Sequence, residues 1–227
     1  MKNIELLLAV CIEIEPILDQ LVLVGGCATE LLISDEAAPS ARPTIDVDMV
    51  VKVASLSEYY RLEEQLRALG FKQTQDDQGV ICRWQKNKLL LDLIPTDEKI
   101  LGFSNRWYEL AVEFSESINM NGLTFHHITA PIFLATKIEA FESRGEKDYM
   151  LSHDLEDAIS VIDGRVDIVN EIESSPVSVK QFLSSQFKYL LKDRKFEEVL
   201  PVFLPPDSAG QGRFDLLMNK LNKISNL

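Results

Sequence analysis

The stretch that decides the fold is Leu21-Val22-Leu23-Val24-Gly25-Gly26, a short apolar run that ends in two glycines. A run of this length and composition is typical of a buried β-strand, and paired glycines permit a tight turn. Because glycine has no Cβ, the backbone of such a turn can approach a phosphate group, and the amide groups of a following helix can donate to it. We therefore expect Gly25 and Gly26 to join a strand to a helix and to contact phosphate.

Three acidic residues follow on predicted strands. Asp46 and Asp48 lie at the start of a strand predicted over residues 47–53, and because side chains alternate along a strand they share one face and repel each other. Asp92 lies within the apolar run 89–94, where an unpaired charge is costly. A divalent cation shared by the three carboxylates would resolve both problems. Mg²⁺ is the expected ion because it prefers oxygen ligands, and Mn²⁺ is the alternative.

The order of the predicted elements indicates an α+β protein in two parts. Strands are expected over residues 21–24, 47–53, 71–74, 80–84, 89–94 and 123–128, and helices between them over 4–18, 28–33 and 55–69. This order predicts a mixed sheet with helices on one face. Further helices are expected over residues 131–143, 147–163, 165–173, 177–192 and 212–224. We place the boundary near residue 125, which gives a sheet domain of residues 1–125 and a helical domain of residues 126–227.

Lys137 lies on an apolar face of its predicted helix. Phe133 is one turn before it and Phe141 one turn after it, so the three side chains share a face. An ammonium group in that position calls for an anionic partner. Two interpretations remain open, since the side chain could extend past the core into solvent or could contact the phosphates of a bound nucleotide.

Two acids lie on the next predicted helix. On a helical wheel Asp154 is at the edge of the apolar stripe and Asp157 lies further out. Asp154 could meet Lys137 or orient a substrate, whereas Asp157 is expected at the surface.

Composition limits the classes of function. The formal net charge of −13 opposes indiscriminate binding to nucleic acid or to anionic membranes. No apolar run approaches the roughly 18 residues that span a bilayer, and the acidic residues near the start are unlike the core of a signal peptide. We expect a cytoplasmic protein that does not bind membranes. The 3 cysteines are far apart in the sequence, which favours buried free thiols over disulfides or a zinc site.

Several segments resemble the AbiEii/AbiGii-type nucleotidyltransferases of the polymerase-beta-like superfamily, many of which are toxins of bacterial toxin–antitoxin systems. The resemblance lies in residues 23–28, in Arg42-Pro43-Thr44-Ile45-Asp46-Val47-Asp48, and in the downstream lysine and Asp-containing helical segments 134–144, which includes Arg144, and 154–157. It covers residues 20–165 and implies a polymerase-beta-like nucleotidyltransferase fold.

The resemblance also implies roles for individual residues. Nucleotide phosphates would contact Gly25, Gly26 and Cys27, metal ions would bind Asp46, Asp48 and Asp92, Lys137 would contact the nucleotide, and Asp154 would have a catalytic or supporting role. The implied reaction is the Mg²⁺-dependent transfer of a nucleotide from a nucleoside triphosphate to an acceptor. The acceptor is an RNA, with tRNA one known kind, or a protein, and a cognate antitoxin is an implied partner.

The chain departs from the family pattern at two points. Cys27 replaces a frequent serine, which removes a hydroxyl group that could contact phosphate. In addition, 19 residues separate Gly26 from Asp46, so the loop over residues 34–43 is interpreted as an insertion. Because of these departures, a solitary housekeeping or resistance-type enzyme remains an alternative to a toxin.

Two rival functions remain. The first is a catalytically silent module that binds a nucleotide or an antitoxin with the same fold. The second is a sugar transferase that uses an Asp-x-Asp motif to bind a metal and a nucleotide-sugar. The second rival explains neither the Gly25-Gly26 turn nor the internal position of Lys137.

Overall fold

The computed structural model describes residues 2–53, 55–74, 81–143 and 148–227. Contacts divide the chain into two compact units. The first comprises Met1–Glu30 and Arg42–Thr129, and the second comprises Leu31–Ala41 and Ala130–Leu227. The chain therefore enters the second unit, returns to the first, and enters the second again after Thr129. The predicted boundary near residue 125 would cut through a strand of the first unit. The sequence also did not predict that residues 31–41 belong with the helices.

Within the described residues, the strands of the first unit form one mixed sheet. They are β1 (Val22–Val24), β2 (Val47–Val51), β3 (Lys72–Gln73), β4 (Arg83–Lys86), β5 (Leu89–Pro95), β6 (Glu116–Met120) and β7 (Leu123–His127). Their order across the sheet is β3-β4-β5-β2-β1-β7-β6. β2 is antiparallel to β1 and parallel to β5, while β1 is parallel to β7. The central strands are mostly buried: all three residues of β1 are buried, as are all residues of β2 except Asp48.

The helices of the sheet unit follow from local signals in the sequence. They are α1 (Asn3–Glu13), α2 (Gly25–Leu32, whose last two residues belong to the second unit), α3 (Leu56–Ala68), α4 (Glu98–Leu101) and α5 (Tyr108–Glu113). α1 ends before Pro16, short of the predicted end at residue 18, because proline cannot continue a helix, and a 3₁₀ helix over Glu15–Gln20 follows it. Ser55 caps α3 by accepting a hydrogen bond from the backbone N–H of Glu58.

α1 and α3 cover the sheet. α1 packs against β2 and β5. The Tyr59 hydroxyl on α3 donates a 2.8 Å hydrogen bond to the carbonyl of Leu93 on β5. Burial raises the pKa of the Tyr59 hydroxyl, so the phenol remains a donor at ordinary pH.

The second unit is helical. Its helices are α6 (Ala130–Ser143), α7 (His153–Gly164), α8 (Ile168–Ser174), α9 (Val177–Leu190), α10 (Arg194–Val199) and α11 (Ser208–Ile224). α6 packs against α7, α8 and α9, and α11 packs against the same three helices. α6 and α7 are therefore covered on more than one side, which is why both have wide buried surfaces.

Residues 31–41 are fixed within this unit by hydrogen bonds. The backbone N–H groups of Ser34 and Asp35 donate to the Gly164 carbonyl at the end of α7, at 2.9 and 2.8 Å. The Arg213 guanidinium on α11 bridges Asp163 and Asp35, at 2.7 and 2.9 Å. The predicted loop over residues 34–43 is confirmed as a segment without regular secondary structure.

The predicted α+β class is confirmed, and the errors concern short or polar elements. β6 was missed because it is an edge strand of polar, mostly exposed residues. α4, α5 and α10 were missed because 4 to 6 residues contain too few turns for an apolar period to be seen. β4 begins at Arg83, three residues after the start of the strand predicted for 80–84, and Val80 lies outside the described residues.

The helix predicted over residues 147–163 begins only at His153. Asp148 accepts hydrogen bonds from the backbone N–H groups of Met150 and Leu151, which forms a turn, and Ser152 then caps α7.

In the part of the chain that the structure describes, we find no helix with the combined length and apolarity needed to cross a bilayer.

Candidate functional site

The Gly25 turn lies directly against Asp48. Gly25 follows β1 and has a φ of +66°, a conformation that favours glycine. A Cβ at this position would lie 1.9 Å from the Oδ2 atom of Asp48, which no side chain could tolerate without displacing the carboxylate. Gly25 is therefore required both by its backbone conformation and by the space that Asp48 occupies. The structure brings together the first two features of the sequence pattern, the glycine turn and the Asp-x-Asp strand.

Asp92 is the cross-strand neighbour of Asp48. β2 and β5 are parallel, and their register places Asp48 beside Asp92, so both carboxylates lie on the same face of the sheet. Asp92 is buried, with 6% of its surface exposed, whereas Asp48 is half-buried. The predicted juxtaposition of an acid on β5 with the Asp-x-Asp strand is thus present.

Arg83 supplies the positive charge for this cluster. Its Nε and Nη2 atoms donate to the two oxygens of Asp92 at 2.8 and 2.7 Å, and Nη2 also donates to Asp46 Oδ2 at 2.6 Å. From the sequence, a metal ion alone is expected to compensate the charge of Asp92. That expectation is incomplete, because the guanidinium group of Arg83 on the neighbouring strand already pairs with Asp92 and with Asp46.

The position of Arg83 follows from the β4–β5 hairpin. Asn87 has a φ of 56°, as the first residue of a tight two-residue turn requires, and Lys86 pairs with Leu89 across it. Counting back from this pair places Arg83 directly opposite Asp92. Strands were predicted over 80–84 and 89–94, on either side of Lys86-Asn87, so a register count across this turn was the signal that could have identified Arg83.

Asp46 is fixed by side chains on either side of it. The Thr44 hydroxyl donates to Asp46 Oδ1 at 2.9 Å, and Asn3 on α1 accepts from the backbone N–H of Thr44 at 3.1 Å. The Cys27 thiol donates to the backbone carbonyl of Asp46 at 3.4 Å. Cys27 and Gly26 are buried, while Gly25 is half-buried, so Gly25 is the part of the turn nearest to solvent. The Cys27 thiol thus contacts the backbone at the start of the acidic strand.

The cysteines are buried free thiols, as expected. Cys82 precedes Arg83, and burial raises its pKa to about 12, with a smaller contribution from the charges of Asp92 and Asp48. Burial likewise raises the pKa of Cys11 to about 12. Both thiols therefore remain neutral at ordinary pH and are poor nucleophiles.

Lys137 and Asp154 meet within the second unit. Lys137 Nζ lies 3.1 Å from Asp154 Oδ1 and 2.7 Å from Asp157 Oδ2, and the exposed fractions of the three residues are 7%, 8% and 1%. The expected anionic partner of Lys137 is confirmed, and the interpretation in which its ammonium group extends into solvent is wrong. The placement of Asp157 at the surface is also wrong, because α7 is buried around most of its circumference and its wheel has no broad solvent face. Arg144 lies outside the described residues.

The donor chemistry of the acidic cluster suits a hard divalent cation, but its arrangement is not that of a preformed metal site. The three carboxylates offer oxygen ligands of the kind that Mg²⁺ prefers, and Gly25 allows one of them, Asp48, to lie against the backbone of the glycine turn. Among residues 2–53, 55–74, 81–143 and 148–227, no group of three His, Cys, Asp or Glu side chains already converges as a metal site. Arg83 occupies the position between Asp46 and Asp92 instead.

Comparisons with known proteins bear on the fold. No protein-family model matches the sequence, and no curated protein matches it. Among solved structures, the chain is similar to an antigenic nucleotidyltransferase-like protein from Paracoccidioides brasiliensis, with a TM-score of 0.53 and 18% sequence identity, over 88% of this chain and 94% of that one. The chain therefore has a nucleotidyltransferase-like α+β fold. At this identity the likeness concerns the fold, so the AbiEii/AbiGii resemblance stays a prediction.

Proposed function

We propose that the chain is a metal-dependent nucleotidyltransferase that transfers a nucleotide from a nucleoside triphosphate to an RNA or protein acceptor. The observation that carries the proposal is the contact between the Gly25 turn and Asp48, with Asp92 beside Asp48 across the sheet, in a nucleotidyltransferase-like fold. A glycine turn that exposes backbone next to clustered carboxylates suits a triphosphate and its metal ions.

The reaction requires an acceptor hydroxyl to attack the α-phosphorus of the triphosphate. A new P–O bond forms to the acceptor, the bond between the α-phosphorus and the bridging oxygen breaks, pyrophosphate leaves, and the hydroxyl proton passes to a carboxylate of the cluster. When bound, Mg²⁺ or Mn²⁺ would neutralise phosphate charge and lower the pKa of the hydroxyl. Asp46, Asp48 and Asp92 are the residues that would bind it, and the Gly25 backbone would adjoin the phosphates.

Lys137 and Asp154 are left out of this minimal site. Lys137 is already paired with two carboxylates in the second unit, so a nucleotide contact by Lys137 would require those ion pairs to be exchanged for pairs with phosphate. Their proposed roles therefore rest on the family resemblance alone, as does a cognate antitoxin.

One observation favours a second candidate, a nucleotide-binding module without turnover. Arg83 engages both oxygens of Asp92 and one oxygen of Asp46, which leaves these carboxylates less available to a metal ion. In such a module Arg83 would permanently compensate part of the negative charge of the cluster.

The test is incubation of the protein with each α-labelled nucleoside triphosphate, Mg²⁺, and either total cell RNA or cell protein. We expect label in one acceptor with the wild type, and a loss of about a hundredfold or more with Asp48→Asn, because a metal ligand supplies several kcal/mol to the transition state. Asp19→Asn, at an exposed position of the same unit, is the matched control and should retain activity. Full activity in Asp48→Asn would refute the proposal. Nucleotide binding in calorimetry with no labelled acceptor would favour the silent module.

A further inference from the structure

Arg83 donates hydrogen bonds to both oxygens of Asp92 and to one oxygen of Asp46. Both oxygens of Asp92 accept from Arg83, while Asp46 accepts from Arg83 at Oδ2 and from Thr44 at Oδ1. Either carboxylate can therefore act as a metal ligand only by giving up or sharing one of these contacts. The side chains of Arg83 and Asp92 are 14% and 8% exposed, so water screens their interaction weakly.

The charge of Arg83 is permanent. A guanidinium group is not deprotonated in proteins, so Arg83 cannot be neutralised when a second cation arrives. A divalent ion between Asp46 and Asp92 would meet a fixed positive charge at close range, and the two cations repel each other. Without Arg83, in contrast, the cluster would consist of Asp46, Asp48 and Asp92 with nothing on β4 to offset their mutual repulsion.

We propose that Arg83 is a positioning residue that takes the place of a metal ion between Asp46 and Asp92, and that it must release at least one of these carboxylates when a divalent cation binds. Arg83 thereby keeps the metal-free chain folded and lowers the affinity of the cluster for metal. The proposal rests on the proposed function for the identity of the ion. Its role is distinct from that of a catalytic residue, because Arg83 acts through the carboxylates that it holds.

The experiment measures Mn²⁺ binding to the full chain by electron paramagnetic resonance, without nucleotide, for the wild type, Arg83→Gln and Arg83→Lys. A nearby opposite charge alters the proton affinity of a carboxylate by about tenfold to a thousandfold, so we expect Arg83→Gln to bind Mn²⁺ at least about tenfold more tightly than the wild type. Arg83→Lys keeps the positive charge but loses the bidentate geometry. Its affinity for Mn²⁺ should lie between those of the wild type and Arg83→Gln. Affinity equal to that of the wild type in Arg83→Gln would overturn the proposal.

Thermal unfolding provides a second readout. The wild type should unfold at nearly the same temperature in EDTA and in Mn²⁺, whereas Arg83→Gln should be destabilised in EDTA and recover in Mn²⁺. Arg213→Gln is the matched control, because Arg213 also bridges two carboxylates at low exposure but lies in the second unit. It should be destabilised equally in both conditions. If Arg83→Gln behaves as Arg213→Gln does, Arg83 is only a structural ion-pair partner and the proposal fails.

These measurements separate the inference from the proposed function. If Arg83→Gln binds Mn²⁺ more tightly but no acceptor is ever labelled, the inference stands and nucleotide transfer fails. If the wild type labels an acceptor but Arg83→Gln shows no change in Mn²⁺ affinity, transfer stands and the inference fails. Should Arg83→Gln not fold even in Mn²⁺, the Arg83→Lys comparison decides, and unchanged Mn²⁺ affinity in that variant would overturn the inference.

Discussion

Gly25→Ala should destabilise the sheet unit by about 0.5–3 kcal/mol. At a φ of +66° an L-residue is strained by about 1–2 kcal/mol. The added Cβ would lie 1.9 Å from Asp48 Oδ2, and moving that carboxylate off its rotamer costs a further amount of about 0.5–1.5 kcal/mol. Alanine also restricts the unfolded chain, which returns about 0.4–1 kcal/mol. The expected loss of stability is the sum of the two costs minus this gain.

The assay is urea unfolding followed by tryptophan fluorescence. The 2 tryptophans of the chain, Trp84 and Trp107, are both buried and both lie in the sheet unit, so the signal reports that unit. Gly102→Ala is the matched control, because Gly102 has a φ of +82° but has no atom within 4 Å of its added Cβ. The loss of stability in Gly102→Ala therefore measures the cost of backbone strain without a steric collision. The reasoning is refuted if Gly25→Ala is no more destabilising than Gly102→Ala, since the collision with Asp48 would then be absent.

The buried ion pairs and the buried thiols give two further predictions. Lys137→Met should cost about 3–5 kcal/mol in urea unfolding followed by far-ultraviolet circular dichroism, because it removes the ammonium group that pairs with two buried carboxylates. Lys188→Met, at an exposed position of α9, should change stability by less than about 0.5 kcal/mol, and equal losses would contradict the ion-pair account. Because folding raises the pKa of Cys11 and Cys82 from 9.0 to about 12, their contribution to stability is complete below pH 9.0 and declines as the pH rises towards 12. The double Cys→Ala variant should lose less stability than the wild type between about pH 8 and about pH 10.5, as judged from urea midpoints, and identical pH slopes would exclude the thiols as the cause.

The sheet could be predicted well where its strands are buried on both faces. β1, β2 and β5 are short apolar runs bounded by turn residues, and such runs are visible in a single sequence. β6 has no such run, because an edge strand can keep polar side chains on both faces. Its existence depends on pairing with β7, which the sequence of β6 does not encode locally.

The acids and the glycine turn of the candidate site could be predicted from the sequence. The proximity of Gly25, Asp48 and Asp92 follows from strand order, which the alternation of elements suggested. Arg83 was missed because a partner across a hairpin is chosen by register and not by distance along the chain. Asp157 was misplaced because helical wheels assume one buried face, whereas α7 is enclosed on several sides.

The excursion of residues 31–41 into the helical unit has a consequence for the order of events during synthesis. The last strand of the sheet ends at His127, so the sheet can be completed while the helical unit is still being made. Asp35, however, pairs with Arg213, a residue 178 positions later, and the carbonyl of Gly164 is also far downstream. An early segment of the chain therefore cannot complete its native hydrogen bonds until α11 has been synthesised. We expect proteolysis of ribosome-bound chains that end before α11 to cut within residues 31–41, and release of the full-length chain to protect that segment.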